Sequence, residues 1–168
     1  PLWGLPGDAT GARTGLSDSM TPGMISSLAL SDEIAFRVKF IDPVPPQASL
    51  YWRASVLSHF DGRTWTAQPQ TPMKAGSVKA LPGSSSTRYQ VTMEPHGRRW
   101  LFALETPLEP PELRGNSAYL ANDFQLLSRE RIGARLRYDV TSWTQFSLQA
   151  DSAPEELNDG LQRVPGFN

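Results

Sequence analysis

Two histidines, His59 and His96, are the only side chains here whose ordinary pKa suits a general base at neutral pH. A hydrolase would need one of them beside a nucleophile and an orienting carboxylate. His59 stands just before the Asp61-Gly62 pair and His96 inside Pro95-His96-Gly97, and neither lies in a catalytic signature such as a Gly-x-Ser-x-Gly elbow. The chain has no cysteine, which removes thiol nucleophiles, thiolate metal sites and disulfides from these 168 residues. Two histidines without His-x-His or His-Glu-x-x-His spacing point away from zinc. Paired carboxylates could hydrolyse a glycoside. However, Glu105, Glu109 and Glu112 recur within a proline-rich stretch where solvation is their expected state, while Glu155-Glu156 suits a helix N-terminus. The glycines follow turns and form no phosphate-cradling loop. The residues read as a non-catalytic domain with no catalytic residue, cofactor or metal.

Binding chemistry remains. One face of Leu50 to Thr66 carries Tyr51, Arg53 and His59; a second basic-aromatic spot is His96, Arg98 and Arg99 beside Trp100. These six residues, Tyr51 to Arg99, are the candidate interface or binding surface, weighed against the plainer reading of a solvated face. A flat aromatic stripe would suit a cell-envelope glycan or peptide, and a covered one a contact between domains.

The elements that would position them are strands. Asp61-Gly62 separates two runs rich in β-formers and predicts a two-residue type I′ hairpin, with Phe60 facing Arg63, Ser58 facing Trp65 and Val56 facing Ala67. Alternation then puts Leu50, Trp52, Ala54, Val56, Phe60 and Trp65 on one apolar face, so both tryptophans are expected in the core. Glu33 to Ile41 alternates cleanly, as do Tyr89, Val91 and Met93, and Leu136, Tyr138 and Val140. Trp100 to Leu104 is a continuous apolar run, which predicts burial on both sides. Shorter strands are expected near Ala118–Leu120 and Phe124–Leu127. Thr21-Pro22 and Ser152-Ala153-Pro154-Glu155 each start a brief helix. Residues 68–86 are expected to be a mobile loop, and 105–116 a proline-rich connection. The organisation expected is an extended arm over 1–20, a β domain over 21–150, and a short helix with linker over 151–168. The fold class is mainly β: an antiparallel β-sandwich or open barrel of seven or eight short strands with one or two short helices.

Composition narrows the class further. A net charge of −1 gives no basic excess to draw nucleic acid or an anionic membrane, and no apolar run approaches a membrane-spanning length. With 15 Pro and 13 Gly the connections are long and irregular, yet 5 Trp, 7 Phe and 4 Tyr concentrate enough apolar area for one core. The chain begins at Pro1 and ends at Gly166-Phe167-Asn168, and both ends read as cuts from something longer.

Several segments in series carry a resemblance: Leu2-Trp3-Gly4-Leu5-Pro6, Thr14-Gly15-Leu16-Ser17-Asp18, Ser31 to Val38, Tyr51-Trp52-Arg53 leading to Phe60-Asp61-Gly62-Arg63-Thr64-Trp65, and Glu94-Pro95-His96-Gly97-Arg98-Arg99-Trp100. Together they resemble the TgpA-like, membrane-anchored bacterial transglutaminase-like proteins over nearly the whole chain. In that family transmembrane helices precede an extracytoplasmic region holding a β-rich domain and then a papain-like transglutaminase core. The resemblance implies that this chain is the β-rich domain on the periplasmic side of the inner membrane. It also implies that the Cys-His-Asp triad belongs to a core absent here. The implied partner is that core, within the same polypeptide. Implied too is an accessory role, packing on the core or receiving its substrate.

Overall fold

The structure, a computed structural model, describes residues 17–21, 33–74 and 84–145. The arm over 1–20, apart from residues 17–20, and both expected helices lie outside the described residues, as does 75–83 of the expected loop. Among the described residues the chain is antiparallel β throughout, with a single helical turn, Gln47–Ser49, and no closed barrel.

In chain order the strands are β1 (Ser19–Met20), β2 (Phe36–Phe40), β3 (Trp52–Arg53), β4 (His59–Phe60), β5 (Trp65–Thr66), β6 (Ser85–Met93) and β7 (Trp100–Leu101). They continue with β8 (Ala103–Leu104), β9 (Thr106–Pro107), β10 (Glu112–Leu113), β11 (Asn116–Leu120), β12 (Leu126–Ser128) and β13 (Leu136–Gln145). One four-stranded sheet runs β2-β6-β13-β9 and another β10-β11-β12-β7, with smaller pairings β3-β8 and β1-β5-β4. The seven or eight runs visible in the sequence are joined by two-residue strands that alternation cannot reveal. Two of these, β9 and β10, lie inside the proline-rich 105–116. Pro107 fits there because β9 is an edge strand, where a missing N–H costs no ladder bond.

The long strands obey their periodicity. Tyr89, Val91 and Met93 of β6 are fully buried opposite Val140, Tyr138 and Leu136 of β13. Phe36, Val38 and Phe40 extend that face on β2, with Arg37 and Lys39 outward. Trp100 to Leu104 is buried along its whole length, for a reason more specific than two-sided packing. The run crosses between sheets: β7 pairs with β12, and β8 pairs with β3.

Two tyrosines latch this crossing onto the first sheet. The Tyr89 hydroxyl accepts a 2.8 Å bond from the Leu104 amide and shares a 2.8 Å bond with Ser142 Oγ. The Tyr138 hydroxyl donates to the Phe102 carbonyl at 2.8 Å. Aromatic rings fill the space between: Phe102 stacks on Phe36 at 4.0 Å, Phe36 meets Trp52 edge-on at 5.4 Å, and Trp52 meets Tyr89 at 5.3 Å.

The Leu50–Thr66 expectation needs correction. The turn is a four-residue loop, Asp61 to Thr64, so Phe60 pairs with Trp65 and His59 with Thr66. The cause is the Asp61 carboxylate, which accepts from the Arg63 and Thr64 amides at 2.8 and 2.7 Å, while the Asp61 amide donates to the Thr64 carbonyl. Gly62 takes a φ of +99° within it. The pairing of Val56 with Ala67 is absent; Ala67 donates instead to Asp18. Trp52 is half-buried among rings, but Trp65 is 40% exposed and stacks on Phe60 at 4.8 Å. Its sheet, β1-β5-β4, gives it no covering layer among the described residues.

Candidate functional site

The cross-strand registers of the second four-stranded sheet build a surface that no local pattern shows. Tyr119 of β11 pairs with Leu127 of β12, which pairs with Trp100 of β7. These three residues line a groove of about 280 Å³. Arg98, Arg99 and Arg131 also line it, as do Gln68, Pro69 and Gln70, which follow β5.

Each arginine is anchored. Arg98 pairs with the Asp18 carboxylate at 3.1 Å, and Trp100 Nε1 donates to the same carboxylate at 3.2 Å. Arg99 Nε donates to the Ser128 carbonyl at 3.0 Å and its Nη2 to the Tyr119 hydroxyl at 3.4 Å. Arg131 Nη1 donates to the Gly97 carbonyl at 2.9 Å. The last two anchors are neutral, so they hold the guanidinium planes without cancelling their charge. Among the described residues no carboxylate lies within ion-pair distance of Arg99 or Arg131.

The six residues proposed from sequence belong to two separate basic-aromatic spots. Arg98 and Arg99 line the groove; Tyr51, Arg53 and His59 do not. Tyr51 is 61% exposed and His59 is exposed on β4. Arg53 is partly buried, bonding Glu105 at 3.4 Å and the Asp123 carbonyl at 3.3 Å. His96 is buried, with its ring parallel to Trp100 at 3.9 Å. Its Nδ1 accepts from the Arg98 amide at 3.0 Å, which leaves the proton on Nε2. Burial lowers its pKa to about 4, against the opposing pull of Asp18. Sequence reasoning missed Tyr119, which the pairing of β7, β11 and β12 brings to Trp100, and also Asp18 and Arg131, which reach the groove from the segments before β1 and after β12.

A larger hollow, about 1470 Å³, runs over the outer face of β6 and β13. Three of its polar side chains are already engaged: Arg88 with Asp42, Arg135 with Glu94, and Gln90 with Asp139. Among the described residues no cluster of His, Asp and Glu is arranged to hold a metal ion, and no helix is long and apolar enough to cross a membrane.

Residues 1–149 match the family model described as the TgpA N-terminal domain. The chain belongs to the TgpA N-terminal domain family. It is 40% identical over 162 residues to a protein-glutamine gamma-glutamyltransferase of Pseudomonas aeruginosa, covering 96% of this chain and 24% of that protein. Crystal structures of the periplasmic domain of TgpA from the same organism, one of them bound to ethylmercury, superpose with TM-scores of 0.72 and 0.70 at 38% identity. Each match covers 84% of this chain and 48% of the crystallised one. The chain thus spans about a quarter of the curated relative and about half of the crystallised domain. The TgpA-like resemblance carried by the sequence segments and the mainly β fold both hold.

Proposed function

We propose that this chain is the non-catalytic accessory domain of a periplasmic, membrane-anchored transglutaminase-like enzyme, packing on a papain-like core of the same polypeptide and presenting protein substrates to it. One observation carries the reading: residues 1–149 match the N-terminal family, while the related glutamyltransferase is about four times as long. Its chemistry supports the same division of labour. Transfer of a glutamine acyl group by a papain-like core needs a thiolate nucleophile, and these 168 residues contain no cysteine. The periplasmic location is supported by the likeness to a crystallised periplasmic domain.

The test compares a longer polypeptide that includes the core with the same polypeptide lacking residues 1–149. With a small glutamine amide as acyl donor, kcat should stay within about threefold, reporting an intact core. With a protein donor, kcat/KM should fall by about tenfold or more, mostly through KM. Equal values for the two polypeptides on protein donors would remove the accessory role.

A further inference from the structure

We propose that the groove over Tyr119, Leu127 and Trp100 binds an extended acidic peptide segment, with its carboxylates on Arg99 and Arg131. The inference deepens the substrate-presenting reading above and rests on it. The chain as a whole carries a net charge of −1, yet this groove has three guanidinium groups and one carboxylate, Asp18. Within the groove Arg98 faces the Asp18 carboxylate, whereas Arg99 and Arg131 are steered by carbonyl and phenol oxygens. Each keeps further N–H donors, in a planar fork that fits a carboxylate.

Asp18 shows the pose at one end. Its carboxylate bridges Arg98 and the Trp100 indole N–H at the edge of the groove. Gln68 and Gln70, which also line the groove, carry both amide donors and acceptors, the complement of a peptide backbone. The volume, about 280 Å³, suits a few residues of extended chain and no globular partner. Amide, apolar and fixed positive lining groups together favour a peptide over a phosphate polymer, which would use the charge alone.

The experiment titrates the 168-residue chain at low salt with a fluorescent hexapeptide containing two alternating glutamates, its glutamine isostere, and inorganic polyphosphate. Saturable binding of the glutamate peptide is expected, with affinity at least about tenfold above the isostere and weakened by salt. The double variant Arg99→Gln, Arg131→Gln should lose about tenfold with an unchanged melting curve, and Arg99→Lys, Arg131→Lys should recover part of the loss. Absence of saturation at millimolar peptide, equal binding of the isostere, or an unaffected double variant would overturn the proposal. Tighter binding of polyphosphate than of the peptide would overturn it too, giving the groove to a phosphate polymer. If peptide binding fails while deletion of residues 1–149 still impairs protein donors, the groove assignment falls and the accessory role stands.

Discussion

Replacing Trp100 with alanine is expected to destabilise the chain by about 3–5 kcal/mol, a large part of the roughly 5–15 kcal/mol that holds a domain together. The indole is 3% exposed, lies parallel to His96 at 3.9 Å, meets Phe102 edge-on at 5.4 Å and donates to Asp18. Removing it opens a cavity where β7 enters the second sheet and leaves the Arg98–Asp18 pair without its third member. Urea unfolding followed by far-ultraviolet circular dichroism measures the loss; a change below about 1 kcal/mol would contradict the packing described.

The same substitution has a pH signature. His96 titrates near 4 in the folded chain and near its ordinary value, 6.5, when unfolded. The unfolded state therefore binds the extra proton, so this contribution to stability is complete above pH 6.5 and is lost as pH falls towards 4. In Trp100→Ala the imidazole gains water, its pKa returns upward, and the fall in stability between those two pH values should flatten. A slope as steep as that of the parent chain would show that Trp100 does not enclose the ring.

The second large effect is expected at Tyr89. Tyr89→Phe keeps the ring and removes one oxygen, yet it should cost about 1–3 kcal/mol, because a buried Leu104 N–H then has no acceptor. The Ser142 hydroxyl loses its shorter bond and keeps only the 3.4 Å one to the Leu104 carbonyl, and burial is what pushes the Tyr89 pKa up to about 12. Tyr138→Phe should cost less, since only the Phe102 carbonyl loses a donor and unpaired carbonyls are better tolerated. Equal midpoints for the parent chain and Tyr89→Phe would remove the latch from the account.

Both substitutions touch features of different visibility in the sequence. Tyr89 was legible as an inward residue, since Tyr89, Val91 and Met93 alternate with polar residues, as do Leu136, Tyr138 and Val140. Its hydrogen bond was not, because Leu104 arrives on a separate strand. The turn at Asp61-Gly62 was legible as a turn but not as a loop of four, because the aspartate side chain, and not the dipeptide, sets its length. Trp65 misled for the same reason that Trp52 did not. Strand alternation assigns a face, and only the presence of a covering layer decides whether that face is core. Of the groove, Arg98 and Arg99 stood out as neighbours of Trp100, while Tyr119, about 20 residues downstream, meets them only through sheet register, and Arg131, about 30 residues downstream, reaches the groove from the segment after β12. Of the two basic-aromatic spots, the one at Arg98 and Arg99 lines the groove, with His96 stacked on Trp100, and the one at Tyr51, Arg53 and His59 lies outside it.

The central claim is that this domain holds and positions and does not itself transfer acyl groups. The most direct measurement incubates the purified 168-residue chain with a glutamine-bearing protein and a labelled amine, beside a longer polypeptide that includes the core. The account predicts label incorporation by the longer polypeptide and none above the protein-free blank by the chain alone. Saturable incorporation that co-purifies with the chain and disappears in His59→Ala or His96→Ala would contradict it.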